Sequence, residues 1–166
     1  LCVSDCTVLE VDNTFIGPAA LAKASRFVYD PRDDKTSERL NYLNDESGGI
    51  WDCTRCMQCV EVCPKGVSPM DRIMDLRESA IEFGAKKTHG YHHTNSFEKS
   101  VTANGRLDES RLALESAGIF NIFRLLDLVP VGLRALIRGK LPPLFPHKAK
   151  DNKKIKELAK AIKEKE

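Results

Sequence analysis

The stretch Cys53-Thr-Arg-Cys56-Met-Gln-Cys59-Val-Glu-Val-Cys63-Pro64 decides how this chain is read. Its spacing is C-x2-C-x2-C-x3-C-P, a run that in bacterial proteins holds iron–sulfur clusters through cysteine thiolates. Two intervening residues let a tight turn aim successive thiolates at neighbouring irons of one cubane. The fourth cysteine comes a helical turn later, faces away, and ligates the other cluster of a pair. Pro64 has no backbone N–H, so it stops further helical hydrogen bonding at that point.

The remaining cysteines, Cys2 and Cys6, form a C-x3-C pair that would say little alone. Its spacing repeats that of Cys59 and Cys63, although Thr7 stands where a proline would follow. The pair reads as the tail of a first copy of the run, with two leading cysteines before Leu1. Exchange of the fourth ligand then assigns Cys53, Cys56, Cys59 and Cys6 to one cluster, and Cys2 and Cys63 to the other. The chain opens on Leu1 and not on Met, and it is expected to be a piece of a longer protein that supplies the two missing ligands. Three other readings compete for the same residues. A disulfide framework suits a small secreted protein, and nothing here marks secretion. Structural zinc usually takes two separated C-x2-C pairs rather than one consecutive run. Inert buried thiols would not cluster in this way.

Composition places the 166 residues among folded domains, with 42% hydrophobic and 30% charged side chains. The formal net charge of +2 hides an asymmetry. Residues 1–129 carry 15 Lys and Arg against 20 Asp and Glu, whereas residues 130–166 carry 11 against 4. A basic end on an acidic body suits docking to an anionic surface, whether lipid headgroups or an acidic partner. Nucleic acid is disfavoured, because aromatic residues are almost absent from the basic segment. No signal peptide is recognisable, and no apolar run reaches the roughly 18 residues of a membrane-spanning helix. Neither a G-x-G-x-x-G nor a Walker-type phosphate loop occurs, and no nucleophile–base signature stands out.

Read with Gly17-Pro-Ala-Ala-Leu-Ala-Lys-Ala-Ser-Arg-Phe-Val-Tyr-Asp-Pro-Arg-Asp33 and Cys63-Pro64-Lys65, the cysteines resemble the C-terminal half of the iron–sulfur subunit of succinate dehydrogenase and fumarate reductase. The match runs over about residues 1–83. The resemblance implies an all-α fold, an α-helical ferredoxin whose short helices flank two clusters. It implies an electron-transfer subunit with no substrate site of its own, working between a flavoprotein subunit and a quinone at a membrane-anchor subunit. It also implies a [2Fe–2S] domain upstream, and a peripheral position on the cytoplasmic face of the inner membrane through those partners.

One departure matters. Common members of the family have an apolar residue where this chain has Cys56, and their cluster there is [3Fe–4S]. With Cys56 present, a [4Fe–4S] cluster is expected at the second site, at a lower potential because a fourth thiolate adds negative charge. That variant is similar to less common fumarate reductases and to the cluster subunit of heterodisulfide reductases. A heterodisulfide-reductase-like or glycerol-3-phosphate-dehydrogenase-like cluster subunit is therefore the rival within oxidoreductases. A zinc-bound structural module is the rival from another class.

The rest reads as helices in two parts: a ferredoxin domain over residues 1–118, and apolar helices with a basic tail over 119–166 as a contact region for a partner or membrane. Gly17-Pro18 opens one helix, Pro31 closes it, and another covers Thr36 to Leu43. Trp51 is expected to pack in the core and shield a cluster. Ser68-Pro-Met-Asp71 resembles a capping box opening a helix whose stripe is Ile73, Leu76, Ala80 and Phe83, terminated at Gly84. Helices over about Tyr91–Ala103 and from the cap Asp108 to Ala117 follow. His89, His92 and His93 read as surface or capping residues. Ile119, Ile122, Phe123 and Leu126 share one face of a helix that Pro130 and Gly132 are expected to break. The run 139–146 is expected to be extended, followed by an amphipathic Lys-rich helix over 151–166.

Overall fold

The acidic and apolar spacing of this chain folds into helices joined by short, polar turns. In the computed structural model, residues 1–44, 47–118, 121–141 and 148–164 are described. Among them are nine α-helices, one 3₁₀ turn and no strand, so the fold is all-α. The helices are α1 (Thr7–Val11), α2 (Pro18–Val28), α3 (Thr36–Leu43), α4 (Gln58–Glu61), α5 (Pro69–Glu82), α6 (His89–Asn104), α7 (Glu109–Ala117), α8 (Ile122–Ile137) and α9 (Asn152–Lys163). They gather into two compact units, Leu1–Tyr91 and His92–Glu166.

In the first unit α2 and α5 pack along each other, with α3 against both. Pro18 at the first turn of α2 has a fixed φ and no donor to waste. From there Leu21, Ser25 and Val28 recur at three- and four-residue steps and are buried. α5 answers with Ile73, Leu76 and Ala80, each wholly buried. Phe15, Leu40, Leu43, Ile50 and Cys6 complete the core. Burying a Leu or Ile side chain contributes about 1.5–3 kcal/mol. Tyr29, exposed in its own ring, clips the two helices together. Its hydroxyl donates to the Asp75 carbonyl at 2.8 Å and lies 2.6 Å from Ser79 Oγ.

Gly48 holds the cysteine loop to the start of α2. Its carbonyl accepts from Ile16 N at 3.0 Å, its N–H donates to Asp52 Oδ2 at 2.6 Å, and its φ is +81°. A Cβ there would collide with the Thr14 carbonyl oxygen. Only glycine allows both that φ and that approach.

Three expectations need correcting. Phe83 does not join the α5 stripe: it is 61% exposed, because the helix has already ended and Phe83 is its C-cap. Gly84 (φ +94°) then turns the chain so that Ala85 N bonds Ala80 O at 2.9 Å, a Schellman-type closure. At the other end, Ser68 does not cap a backbone N–H. Its hydroxyl bonds the Asp71 carboxylate, side chain to side chain, in place of the expected capping box. Finally, Pro130 and Gly132 do not break the helix they lie in. α8 runs through both. Proline forfeits one hydrogen bond to the residue four before it. Both positions are exposed, so water replaces that bond, and Gly132 does not take the positive φ that would end the helix.

The second unit is built on polar anchors. Asp108, buried, accepts from Arg111 N at 3.2 Å and from the Ser110 hydroxyl at 2.8 Å, capping α7 as its sequence foretold. Ser100 accepts from Asp108 N at 2.7 Å and fixes the end of α6 to that cap. His93 Nδ1 lies 3.1 Å from Ser116 Oγ, a structural contact between α6 and α7. Asn121 caps α8, accepting from Arg124 N at 3.3 Å. Ala149 N bonds Asn104 O at 2.8 Å and brings the start of α9 to the end of α6. Most of the extended run expected over 139–146, and Ile119 of the apolar face, lie outside the described residues.

Candidate metal centre

The cysteine loop leaves the 3₁₀ turn Ile50–Asp52 and runs without regular structure to α4. Two non-glycine residues in it, Arg55 (φ +58°) and Met57 (φ +67°), take left-handed conformations. Such residues turn the chain sharply without a helix, which is how three thiols two residues apart face one side. Cys59 sits on α4 and is 8% exposed; Cys6 arrives from the opposite side at the N-cap of α1 and is 7% exposed. Cys56 is exposed, and Cys53, Cys63 and Cys2 are half-buried.

Cys6, Cys53, Cys56 and Cys59 all line one cavity, together with the largely apolar side chains Val8, Phe15, Pro18, Met57, Met70 and Ile73. It is a small hollow, partly open to solvent. Among the described residues no three Cys, His, Asp or Glu groups converge as a single metal ion requires. All four cysteines line the same hollow. Soft thiol donors spaced around an apolar hollow fit a polynuclear iron–sulfur cluster.

Hydrogen-bond donors point at three of the sulfurs, the Met70 N–H at Cys59 among them. The Thr7 hydroxyl reaches Cys56 Sγ at 3.6 Å, and with the Gln58 N–H it draws the Cys56 thiol below its ordinary range. Burial, then the neighbouring Cys53, Cys56 and Cys2, push the Cys59 thiol up. Cys63 is not on the cavity wall. Its thiol is lowered chiefly by the Val67 N–H, 3.4 Å from Sγ, and further by the amides of Lys65, Gly66 and Ser68. A ring of amides turned on one sulfur favours the thiolate, the form that ligates metal.

Reading the sequence alone misses two residues. Thr7 stands out there only as a departure from proline, and its role as a donor to Cys56 is invisible. Arg77 is the larger omission: it falls on the buried stripe of α5, four residues after Ile73, and is 6% exposed. Its Nε donates to the Ile50 carbonyl at 2.9 Å, and one terminal nitrogen donates to the carbonyls of Trp51 at 3.1 Å and Cys53 at 2.8 Å. The guanidinium also lies 5.1 Å from the Trp51 ring centroid. Burial, reinforced by Arg55, pulls its pKa down to about 10. A charge interrupting an apolar helical stripe was the available signal. Trp51 packs against the core, and its Nε1–H donates to Asn44 Oδ1 at 2.6 Å; the cavity wall itself is made by other residues. The three histidines are not on the cavity wall.

Comparison with known proteins agrees with this chemistry. Residues 1–67 match the family model described as a 4Fe–4S dicluster domain. Over 145 residues, 86% of this chain and 44% of the relative, the sequence is 29% identical to the 8-methylmenaquinol:fumarate reductase iron–sulfur subunit of Wolinella succinogenes. It is 34% identical over 106 residues to a subunit of the CoM/CoB fumarate reductase of Methanothermobacter marburgensis, covering 63% of this chain and 20% of that one. A mitochondrial succinate dehydrogenase iron–sulfur subunit of Oryza sativa is 38% identical over 68 residues, 41% of this chain and 24% of the relative. The chain thus spans less than half the length of these curated relatives, and the resemblance drawn from its cysteines and connector is the one the comparisons find.

Proposed function

We propose that this chain is an electron-transfer subunit of a complex of the succinate dehydrogenase/fumarate reductase type, relaying electrons between a flavoprotein subunit and a quinone at a membrane-anchor subunit. The observation that carries the reading is the meeting of Cys6 with Cys53, Cys56 and Cys59 around one apolar-walled cavity, residues that lie far apart in the sequence. A [4Fe–4S] cluster bound there supplies one-electron redox chemistry at a potential the protein sets.

The chain's own residues do the rest. The four thiolates hold the cluster, and Cys56 is the ligand that favours [4Fe–4S] over [3Fe–4S]. Thr7 and the Gln58 amide donate to the Cys56 sulfur and spread its negative charge. Val8, Phe15, Met70 and Ile73 keep water from the inner wall. Arg77 fixes the loop carbonyls so that Cys53 keeps its place. Cys63 and Cys2 form half the ligand set of the first cluster, completed by two cysteines from preceding sequence, with a [2Fe–2S] domain further upstream. Residues 1–118 form the ferredoxin domain on this reading, and 119–166 the contact region. No helix among the described residues is long and apolar enough to cross a membrane. Attachment is peripheral, on the cytoplasmic face of the inner membrane, through the partner subunits.

The test is iron, acid-labile sulfide and EPR on the full-length protein purified without oxygen. Both elements should be present, and Cys56→Ser should alter the second cluster's signal while leaving the first unchanged. A colourless, iron-free protein, or one holding only zinc, overturns the reading. Cys56, together with the likeness to the CoM/CoB fumarate reductase, favours a second reading: a cluster subunit of a heterodisulfide-reductase-like complex. Assaying the complex with fumarate against a heterodisulfide separates the two.

A further inference from the structure

α8 presents an apolar face that nothing among the described residues of its own unit covers. None of its 16 residues is buried. Ile122, Leu126, Val129, Leu133, Leu136 and Ile137 recur at steps of four, three, four, three and one, and each is more than half exposed. At 100° per residue they form a single stripe along the whole helix. Arg124, Asp127, Arg134 and the C-cap Arg138 project on the opposite side, with Val131 among them. A continuous aliphatic stripe of this length on a surface marks something that the protein touches.

Two observations say what. α8 is about 24 Å long at 1.5 Å per residue, short of a bilayer's hydrocarbon core, and it does not qualify as a membrane span. On a bilayer a helix of this length lies in the interface rather than across it. The charge around it is positive: three arginines against one aspartate on its polar side, then 9 Lys and Arg against 4 Asp and Glu over residues 139–166. In α9, Lys153, Lys154, Lys156 and Lys160 are exposed. An aliphatic side, a cationic side and a length too short to span are the attributes of an interfacial helix on anionic lipid.

We propose that α8 binds an anionic lipid surface directly, in the plane of the headgroups, with the Ile122–Ile137 stripe towards the acyl chains and the basic residues against the headgroups. The chain then has a membrane contact of its own, beyond any made through partner subunits. The inference rests on the surface of α8 and not on the clusters. Iron content measured on every sample tells a failure here from a failure of the electron-carrier reading.

The experiment is flotation of the full chain with large vesicles of phosphatidylcholine, with and without phosphatidylglycerol, at low and high salt. The protein should float with the anionic vesicles, and high salt should weaken the association, since each cation near such a surface contributes about fivefold. Leu126→Glu with Leu133→Glu should cut partitioning at least about tenfold while helicity by circular dichroism and iron content stay unchanged. Arg134→Glu with Arg138→Glu should remove the preference for phosphatidylglycerol. The proposal is overturned by a chain that floats with neither vesicle, or by partitioning that the paired leucine change does not affect. It is equally overturned if that change only dissolves a dimer, which would give the stripe to a second copy, or only releases a partner subunit.

Discussion

Arg77 enters the interior as a charge and remains there because Ile50, Trp51 and Cys53 offer it carbonyl oxygens. With a pKa near 10 it is still protonated at neutral pH, so those bonds are charge-assisted. Arg77→Met should lower the stability of the Leu1–Tyr91 unit by about 2–4 kcal/mol, the loss expected when several buried bonds to a charged donor go unmade. It should also lower the iron bound per chain, read by thermal melting and elemental analysis. Arg77→Lys keeps the charge without the planar fork and should fall between the two. A Met variant with wild-type iron would mean that the loop holds its own shape. Thr7→Val removes only a hydroxyl and should leave the iron content intact. Losing a donor to the Cys56 sulfur disfavours the more negative, reduced form, so the cluster midpoint should fall in an EPR-monitored redox titration.

Among the elements, α5 carries the largest share of the first unit's packing. Leu76→Ala should cost about 2–5 kcal/mol in chemical denaturation, and Phe83→Ala, one turn past the buried stripe and exposed, no more than about 0.5 kcal/mol. Asp108→Ala should cost about 1 kcal/mol through the lost α7 cap. Elements with local signals were legible in the sequence. The start of α2 follows from Pro18, α3 matches its expected span, and α7 follows from its cap, because proline geometry, periodicity and caps act over a few residues. The gathering of the cysteines on one side could be read from spacing, since the clusters they suit demand it. Other features were hidden. Arg55 and Met57 carry no glycine or asparagine to announce a left-handed turn, so the path of the loop was not readable. Arg77 escapes because a stripe is counted in apolar residues. The continuity of α8 escapes because the local rule for Pro130 and Gly132 takes no account of an exposed site that tolerates both.

At the scale of the molecule, the polar contacts that order α6, α7 and α9 lie within the second unit, whereas the cysteines all lie in the first. Removing iron with an oxidant and a chelator should therefore lower the melting temperature of the first unit alone, because a group that binds only the folded state stabilises it. Differential scanning calorimetry of the loaded and stripped protein, with amide exchange to assign the transitions, reads this directly. A second unit that melts earlier as well would mean that the two share their stability. The charge of the molecule is divided in the same way, acidic before residue 130 and basic after it, so the basic end is the part whose associations salt should weaken most.

Arg55 and Met57 hold a backbone shape that costs a residue with a side chain about 1 kcal/mol or more each. The bonds from Arg77 to the Trp51 and Cys53 carbonyls are among those that offset this cost. Glycine at either position would relieve that cost, since it takes a positive φ freely.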